Sequence, residues 1–309
     1  MTRTEFLREQ TLSGKNKIKR APLPSVSVAD EPVSISERKA MALSWIFENM
    51  PIYIGERELI VGTRTFFAPN EGNEDGHDVF EYSLKTAIPY LTEGEIALFG
   101  FDGSYRNKTH FTPDFSIILK KGIDGIIFEA EANKARFADG SLQKDFLSSV
   151  VIAYRGLKAL ILRYADGALA LADSGEGDRE ELLGIAEVCR RISGGAPESF
   201  REAVQLLWFA HLGTIIESFE FVNYGRLDVS LGEYLGDTPR EEAQQLIDCL
   251  LLKMYDQADV VTSYLGNYSA QLVITLGGVL SDGESAVNEV SFMILDAAGR
   301  IRTFHFLSS

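Results

Sequence analysis

The sequence of 309 residues predicts a helix-rich α/β fold. In most of the chain, apolar residues recur every three or four positions behind a capping residue, which is typical of amphipathic helices. Two apolar runs that end in glycine, Leu59–Gly62 and Ala270–Gly278, are instead typical of buried strands. Helical segments that separate a few buried strands favour an α/β protein over a helical bundle. The sequence contains no internal repeat and no low-complexity tract.

The N-terminal region is predicted to be an irregular arm followed by a capped helix. Residues 1–33 are polar and contain Pro22, Pro24 and Pro32, so we expect them to lie irregularly over the surface. Ser34 and Glu37 have the spacing of a capping box, which predicts a helix through Met50. Residues 67–80 are rich in Gly, Asn, Asp and Glu and are predicted to form a loop.

The middle of the chain predicts two further helices. Thr112 is the expected cap of the first, with Pro113 at its first helical position. The second, over 142–171, keeps a helical spacing for roughly thirty residues, against an average helix length of about 11–12. Because this length is unusual, we expect a kink near Gly156.

Four more helices are predicted in the second half of the chain. Asp178 and Glu181 are expected to cap one of them, and Pro197 is expected to start the next. Thr238–Glu241 has the pattern of another capping box, from which a helix should run to about Asp256. The last predicted helix covers residues 285–299.

The charge and composition exclude several classes of function. Asp and Glu number 45 against 30 Lys and Arg, and the resulting net charge of −15 disfavours binding to nucleic acid or to an anionic membrane surface. No apolar run is long enough to span a membrane, and no apolar stretch of a secretory signal follows the N-terminus. The only cysteines, Cys189 and Cys249, lie in helical patterns, which argues against a disulfide framework or a cysteine metal site. We therefore expect a cytoplasmic protein.

His110 and Asp114 form the clearest candidate site in the sequence. They lie just before a predicted helix start, where free backbone N–H groups collect and ligands are often bound. Histidine can donate and accept, which suits a hydroxyl or carboxylate substrate, and Asp114 could orient it. Alternatively, Asp114 only stabilises the first helical turn and His110 packs beneath the loop. From these residues alone, the second interpretation is favoured.

Other candidate residues have a simpler structural interpretation. His211 lies on the apolar face of a helix, where a hydrogen-bonded core histidine is expected. Phe219, Phe221 and Tyr224 could line an apolar pocket, although core packing is the favoured interpretation. The sequence has no zinc-helix, EF-hand, dinucleotide-binding, Walker or nucleophile-elbow motif.

Five ordered segments carry a family resemblance. They are IGERELIVG (54–62), THFTPDF (109–115), SGGAPESFREAVQLLWFAHL (193–212), YGRLD (224–228) and ITLGGVLSDGESAVNEVSFMILDA (274–297). Together they resemble the glycyl radical enzymes of the pyruvate formate-lyase type. Each match alone is weak, but five in the family's order within residues 34–302 are specific.

The resemblance implies a fold. Residues 34–309 would form the N-terminal part of the family domain, which is a ten-stranded α/β barrel made of two antiparallel five-stranded halves. This chain would supply the first half-barrel and much of the helical shell. Arg226 and Asp228 would form a structural pair at the barrel rim, and Gly277 and Gly278 would allow a close backbone approach at a strand end.

The resemblance also implies a chemistry. In that family a glycyl radical near the C-terminus relays to a cysteine on a central loop, and the thiyl radical abstracts hydrogen from the substrate. Both elements would lie beyond residue 309, so no catalytic, cofactor-binding or metal-binding residue is expected in this chain. Cys189 and Cys249 do not match the cysteine loop. The ending is expected to reflect a truncation, a frameshift or a split reading frame. A radical-SAM activating enzyme and a homodimeric assembly are the partners that the resemblance suggests.

The resemblance changes the favoured interpretation of His110 from a structural role to a role in substrate binding. Asp114, Phe219 and Phe221 are the further substrate-binding candidates. The leading hypothesis is an N-terminal fragment of an anaerobic radical dehydratase or lyase that acts on a small polar metabolite. Pyruvate formate-lyase itself, an inactive half-barrel and a standalone ligand-binding protein are the alternatives.

Overall fold

The computed structural model describes residues 1–13, 21–24, 26–67, 88–99, 112–217, 222–265, 273–302 and 307–308. Its helices are α1 Arg3–Leu12, α2 Ile35–Asn49, α3 Glu93–Phe99, α4 Ser116–Lys134, α5 Leu142–Ser174, α6 Arg179–Ile192, α7 Phe200–Ile216, α8 Leu227–Gly232, α9 Arg240–Leu265 and α10 Glu289–Ile301. Its strands are β1 Ala21–Pro22, β2 Phe66–Phe67, β3 Gly225–Arg226, β4 Ile274–Thr275 and β5 Leu307–Ser308.

The first 33 residues contain a helix where the sequence predicted an irregular arm. A capping box between Thr2 and Glu5 starts α1, and Leu7 is buried against the core. Thr4 Oγ1 donates to Asp248 Oδ2 on α9 at 2.8 Å, and Arg8 Nε donates to the Ile301 carbonyl at 2.7 Å. The prediction was wrong: the spacing of Thr2 and Glu5 is a weak local signal for a helix, and the partners that hold α1 lie far along the chain. The division of the chain at residue 33 stays a prediction.

Two of the predicted helix caps are confirmed. Ser34 and Glu37 form a reciprocal capping box at the start of α2, and α2 ends where Met50 becomes extended before Pro51. At the start of α6, the side chain of Asp178 accepts from the backbone N–H of Glu181 at 3.0 Å.

Three other helices begin or end away from their predicted positions. The cap of α7 is Ser199, two residues after Pro197. Helix α9 continues to Leu265, past the predicted end, and α10 starts only after its cap Asn288.

The predicted start of α4 is wrong. The helix begins at Ser116, and the side chain of its cap residue Phe115 makes no capping hydrogen bond. Instead, Asp114 Oδ1 accepts from the backbone N–H of Ser116 at 3.0 Å and from its Oγ at 2.6 Å. This local side-chain bond competes with a helical turn at Asp114 and delays the helix.

The kink predicted at Gly156 is absent, because α5 runs as one helix from Leu142 to Ser174. A Cβ at Gly156 would lie 2.6 Å from Ser44 Oγ and 2.7 Å from Ser44 Cα. Glycine is therefore needed for the close packing of α5 against α2. A break occurs instead in α4, where Gly122 has φ 65° and ψ 174°.

Helix α7 lies at the centre of the core. It is apolar on almost every side, and Trp208, Phe209 and Leu212 are fully buried. Its polar side chains bind the backbone of residues 61–62. Gln205 exchanges two hydrogen bonds with Val61, each of 2.8 Å, and Trp208 Nε1 donates to the Gly62 carbonyl at 2.8 Å. The strand predicted at 59–62 is absent: residues 59 and 60 form a bend, Gly62 has φ 116°, and helix side chains take the place of a neighbouring strand.

The described strands form two small sheets. β1 pairs with β2, and β4 lies between β3 and β5, with every pair parallel. Strand β4 confirms that part of the apolar run over 270–278 is extended and buried. The helix-rich class agrees with the prediction, while the first half of a ten-stranded barrel remains a prediction.

Candidate functional site

A cavity of about 360 Å³ opens beside the start of α4. Its size falls within the range of small-molecule sites, roughly 300–1,000 Å³. The walls come from the segment that enters α4, from strand β3 and from α8 with the turn after it. The residues that line the cavity are Thr112–Ser116, Leu119, Lys120, Tyr224–Arg226, Val229, Ser230, Glu233 and Tyr234.

Asp114 is the one predicted site residue within the described ranges. It is exposed at the cavity wall, with Oδ1 engaged by Ser116 as the first turn of α4 begins. This geometry suits the structural interpretation of Asp114, and its position on the wall also suits substrate binding. Its role as a substrate ligand stays a prediction. His110, Phe219 and Phe221 lie outside the described residues, so their predicted roles stay predictions as well.

Tyr224 lines this cavity, as one of the two interpretations of its aromatic segment proposed, but the sequence did not predict that His211 stacks behind it. The two ring centroids are 4.2 Å apart with an interplanar angle of 26°. Phe115 and Trp208 complete the cluster, with Phe115 6.0 Å from Tyr224 and Trp208 5.6 Å from His211. In the sequence, the aromatic residues before Gly225 and the apolar residues around His211 indicate two segments that are buried or line a pocket. Nothing local shows that these two segments contact each other.

His211 is buried as predicted, but the expected hydrogen bonds are missing. Neither ring nitrogen has a partner in the described structure, and the same holds for the Tyr224 hydroxyl. Burial lowers the pKa of His211 to about 3 and raises the pKa of Tyr224 well above its usual value. Both side chains are therefore neutral near pH 7.

Arg226 and Asp228 do not form the predicted pair with each other. Arg226 Nη1 donates to the Val279 carbonyl at 3.1 Å, while buried Asp228 Oδ2 accepts from the Gly277 N–H at 2.7 Å and from Ser291 Oγ. Both residues therefore fasten strand β3 and the start of α8 to the segment after β4, and Asp228 also binds α10. Gly277 has φ 65°, and a Cβ there would lie 2.8 Å from Val287 Cγ2, which agrees with the predicted close approach.

Cys189 and Cys249 are buried, unbridged cysteines in helices α6 and α9. Burial raises the pKa of each thiol to about 12, so neither is a reactive thiolate near neutral pH. These positions do not fit the role of a radical cysteine at the centre of a barrel. Across the described ranges, His, Cys, Asp and Glu side chains form no cluster that could hold a metal ion. Among the described helices, none is long and apolar enough to cross a bilayer.

A model of the family described as pyruvate formate lyase-like matches residues 93–305. The chain belongs to this family. As a pyruvate formate lyase-like protein, it is also similar to characterised enzymes. Trans-4-hydroxy-L-proline dehydratase of Clostridioides difficile is 26% identical, over 97% of this chain and 46% of the relative. Isethionate sulfite-lyase of Desulfovibrio desulfuricans is 27% identical, over 74% of this chain and 31% of the relative.

This pyruvate formate lyase-like chain is also similar to a solved structure. The glycerol-bound form of the B12-independent glycerol dehydratase from Clostridium butyricum matches with a TM-score of 0.74 and 26% identity. The match covers 97% of this chain and 46% of that one. The resemblance to glycyl radical enzymes is thereby confirmed, and the chain spans less than half the length of these relatives.

Proposed function

We propose that this chain is the N-terminal part of an anaerobic glycyl radical dehydratase or lyase that acts on a small polar metabolite. The observation that carries the proposal is the match of 97% of the chain, at a TM-score of 0.74, to a glycerol dehydratase structure. The relatives named a dehydratase and a sulfite-lyase support this enzyme class over pyruvate formate-lyase itself. The proposed compartment is the cytoplasm.

In this proposal the chain provides substrate-binding walls, and the radical chemistry belongs to the rest of the enzyme. The glycyl radical of the complete enzyme would supply hydrogen abstraction through a thiyl radical. Cys189 and Cys249 take no part, because both lie in helices, α6 and α9, and not on a loop at the centre of a barrel. His110, Asp114, Phe219 and Phe221 are the proposed substrate-binding residues, and the proposed fold of the chain is the first half of the ten-stranded barrel.

The mixed wall of the cavity favours this use. Phe115, Leu119 and Tyr224 give the wall an apolar and aromatic part, while Asp114 and Ser116 present polar groups beside them. Apolar and aromatic side chains combined with placed polar groups are typical of a small-molecule site. A radical-SAM activating enzyme and a second copy of the complete enzyme are the proposed partners.

The test reconstitutes the complete enzyme. The DNA after codon 309 is read in all frames, and any continuation with the cysteine loop and glycine segment is joined or co-expressed with this chain. After anaerobic treatment with a radical-SAM activating enzyme, we expect a glycyl radical signal in electron paramagnetic resonance. We also expect turnover of at least one of trans-4-hydroxy-L-proline, glycerol, 1,2-propanediol and isethionate.

The control is the same protein without activation, which should show neither signal nor turnover. If no continuation exists, or the activated complete protein has no radical, the inactive half-barrel becomes the better description. In an active enzyme, His110→Ala should raise KM by about tenfold, as expected for loss of one hydrogen bond to the substrate. An unchanged KM and kcat would return His110 to a structural role.

A further inference from the structure

Tyr224 and His211 combine burial with unused hydrogen-bonding capacity. His211 is 0% exposed and Tyr224 is 3% exposed, yet neither the two imidazole nitrogens nor the phenol oxygen has a partner among the described residues. Leaving a buried polar group unpaired destabilises a fold by about 1–3 kcal/mol. Such groups are rare in native proteins and usually have a partner outside the protein or a functional reason.

The position of Tyr224 indicates where a partner from outside the protein could bind. Tyr224 forms part of the wall of the cavity of about 360 Å³, together with Phe115, and the two rings are stacked with centroids 6.0 Å apart. The Tyr224 ring also stacks on His211, and the two ring centroids are 4.2 Å apart. The hydroxyl oxygen itself is covered. A ligand in the cavity would therefore bond to this hydroxyl only if the phenol ring turned, and such a turn would alter the stack on His211.

The character of the cavity restricts the ligand. Tyr224 and His211 are neutral groups that can each donate and accept a hydrogen bond, so they suit a hydroxyl group better than an ionised group. The wall also carries charges of both signs, Lys120 and Arg226 against Asp114 and Glu233, so neither an anion nor a cation is favoured as a whole. A compact hydroxylated molecule without net charge, zwitterions included, fits both observations.

We propose that Tyr224, supported by the stacked His211, hydrogen-bonds a hydroxyl group of a small hydroxylated molecule of no net charge that occupies this cavity. This assignment deepens the proposed function and rests on it for the kind of molecule. Tyr224 acts as a specificity-determining residue, because replacing the hydroxyl removes the bond while leaving the aromatic wall in place. His211 acts as a positioning residue through its stack with the ring.

The experiment uses Trp208 as a reporter of the stack. The chain contains two tryptophans, so Trp45→Phe leaves Trp208 as the single indole, with its ring 5.6 Å from His211. Fluorescence of this full-length variant is titrated with trans-4-hydroxy-L-proline, glycerol and 1,2-propanediol, and with L-proline as the analogue that lacks the hydroxyl. Equilibrium dialysis with the radiolabelled probe measures binding independently of the indole.

We expect saturable binding of at least one hydroxylated probe. If that probe is trans-4-hydroxy-L-proline, L-proline should bind about tenfold more weakly, as expected for loss of one hydrogen bond. Tyr224→Phe should weaken binding of the hydroxylated probe by the same factor. The matched control is Tyr154→Phe on α5, which removes the hydroxyl of a tyrosine that does not line the cavity and should leave affinity unchanged. Circular dichroism and thermal unfolding establish that each variant is folded.

Three results would overturn the proposal: no saturable binding of any hydroxylated probe by the folded parent, equal affinity in Tyr224→Phe, or an equal loss in Tyr154→Phe. A different result would contradict the proposed function. A complete enzyme without a radical but with intact binding contradicts only the function. An active complete enzyme whose KM is unchanged by Tyr224→Phe contradicts only the role of Tyr224.

Discussion

His211 sits among the rings of Phe115, Trp208 and Tyr224, with no hydrogen-bond partner in the described structure. Such surroundings disfavour a charged imidazole, which is why burial lowers its pKa to about 3. The sequence correctly placed this residue in the core, since its neighbours Ala210 and Leu212 are apolar. It could not show the missing partners, because the facing side chains come from other segments: residue 115, far earlier in the chain, and residue 224, beyond the end of α7.

The depressed pKa of His211 makes stability depend on pH in a predictable direction. In the unfolded chain this histidine has a pKa near 6.5, so acid protonates it there while the folded chain keeps it neutral. The free energy of unfolding should therefore fall as pH drops below about 6.5, by up to about 1.4 kcal/mol per pH unit until the folded pKa is reached.

His211→Phe should remove this contribution while keeping an aromatic ring in the stack. Urea unfolding of both proteins at pH 7 and pH 5 measures the difference. The parent should lose about 2 kcal/mol more than the variant between these pH values. The three other histidines are present in both proteins and cancel in the comparison. Parallel pH profiles would contradict the assignment of the titration to His211.

Among the elements, helix starts were predictable where the signal is local. Ser34 and Glu37 bind each other's backbone, and the Asp178 side chain accepts from the Glu181 N–H; both contacts lie within one turn, so the pattern alone is sufficient. The segment over 59–62 shows the opposite case. Its backbone groups are satisfied by Gln205 and Trp208 of α7, and no local signal distinguishes that arrangement from a strand.

Gly156 gives an element-scale test of close helix packing. Gly156→Ala should destabilise the chain by about 1–3 kcal/mol, because the new methyl group would overlap Ser44 on α2. This overlap should outweigh the gain in helix propensity of about 1 kcal/mol. Gly299→Ala on α10 is the matched control, since a Cβ there meets nothing within 4 Å and only the propensity gain remains. Chemical denaturation measures both variants. If Gly156→Ala stabilised the chain as much as Gly299→Ala does, the packing argument would be wrong.

At the scale of the molecule, five ordered motifs were enough to predict the family, which the family model over residues 93–305 confirms. The same motifs could not predict how the start of the chain is fastened. Helix α1 pairs Arg3 with Glu181 on α6, Thr4 with Asp248 on α9, and Arg8 with the end of α10. It therefore joins three helices that follow it by roughly 180 to 290 residues, as expected when tertiary packing overrides a weak local signal.

Leu7 is the buried anchor of α1, so its removal tests whether α1 is part of one cooperative unit. Leu7→Ala should lower the free energy of unfolding by about 2–4 kcal/mol, because a leucine that is only 6% exposed is replaced by a cavity. Glu9→Ala, on the exposed side of the same helix, should change it by less than about 0.5 kcal/mol. Urea unfolding followed by tryptophan fluorescence and by circular dichroism measures both. If α1 were independent of the core, Leu7→Ala would leave the fluorescence transition of Trp208 unmoved. A shift of both transitions together would instead show that α1 unfolds with the rest of the described core.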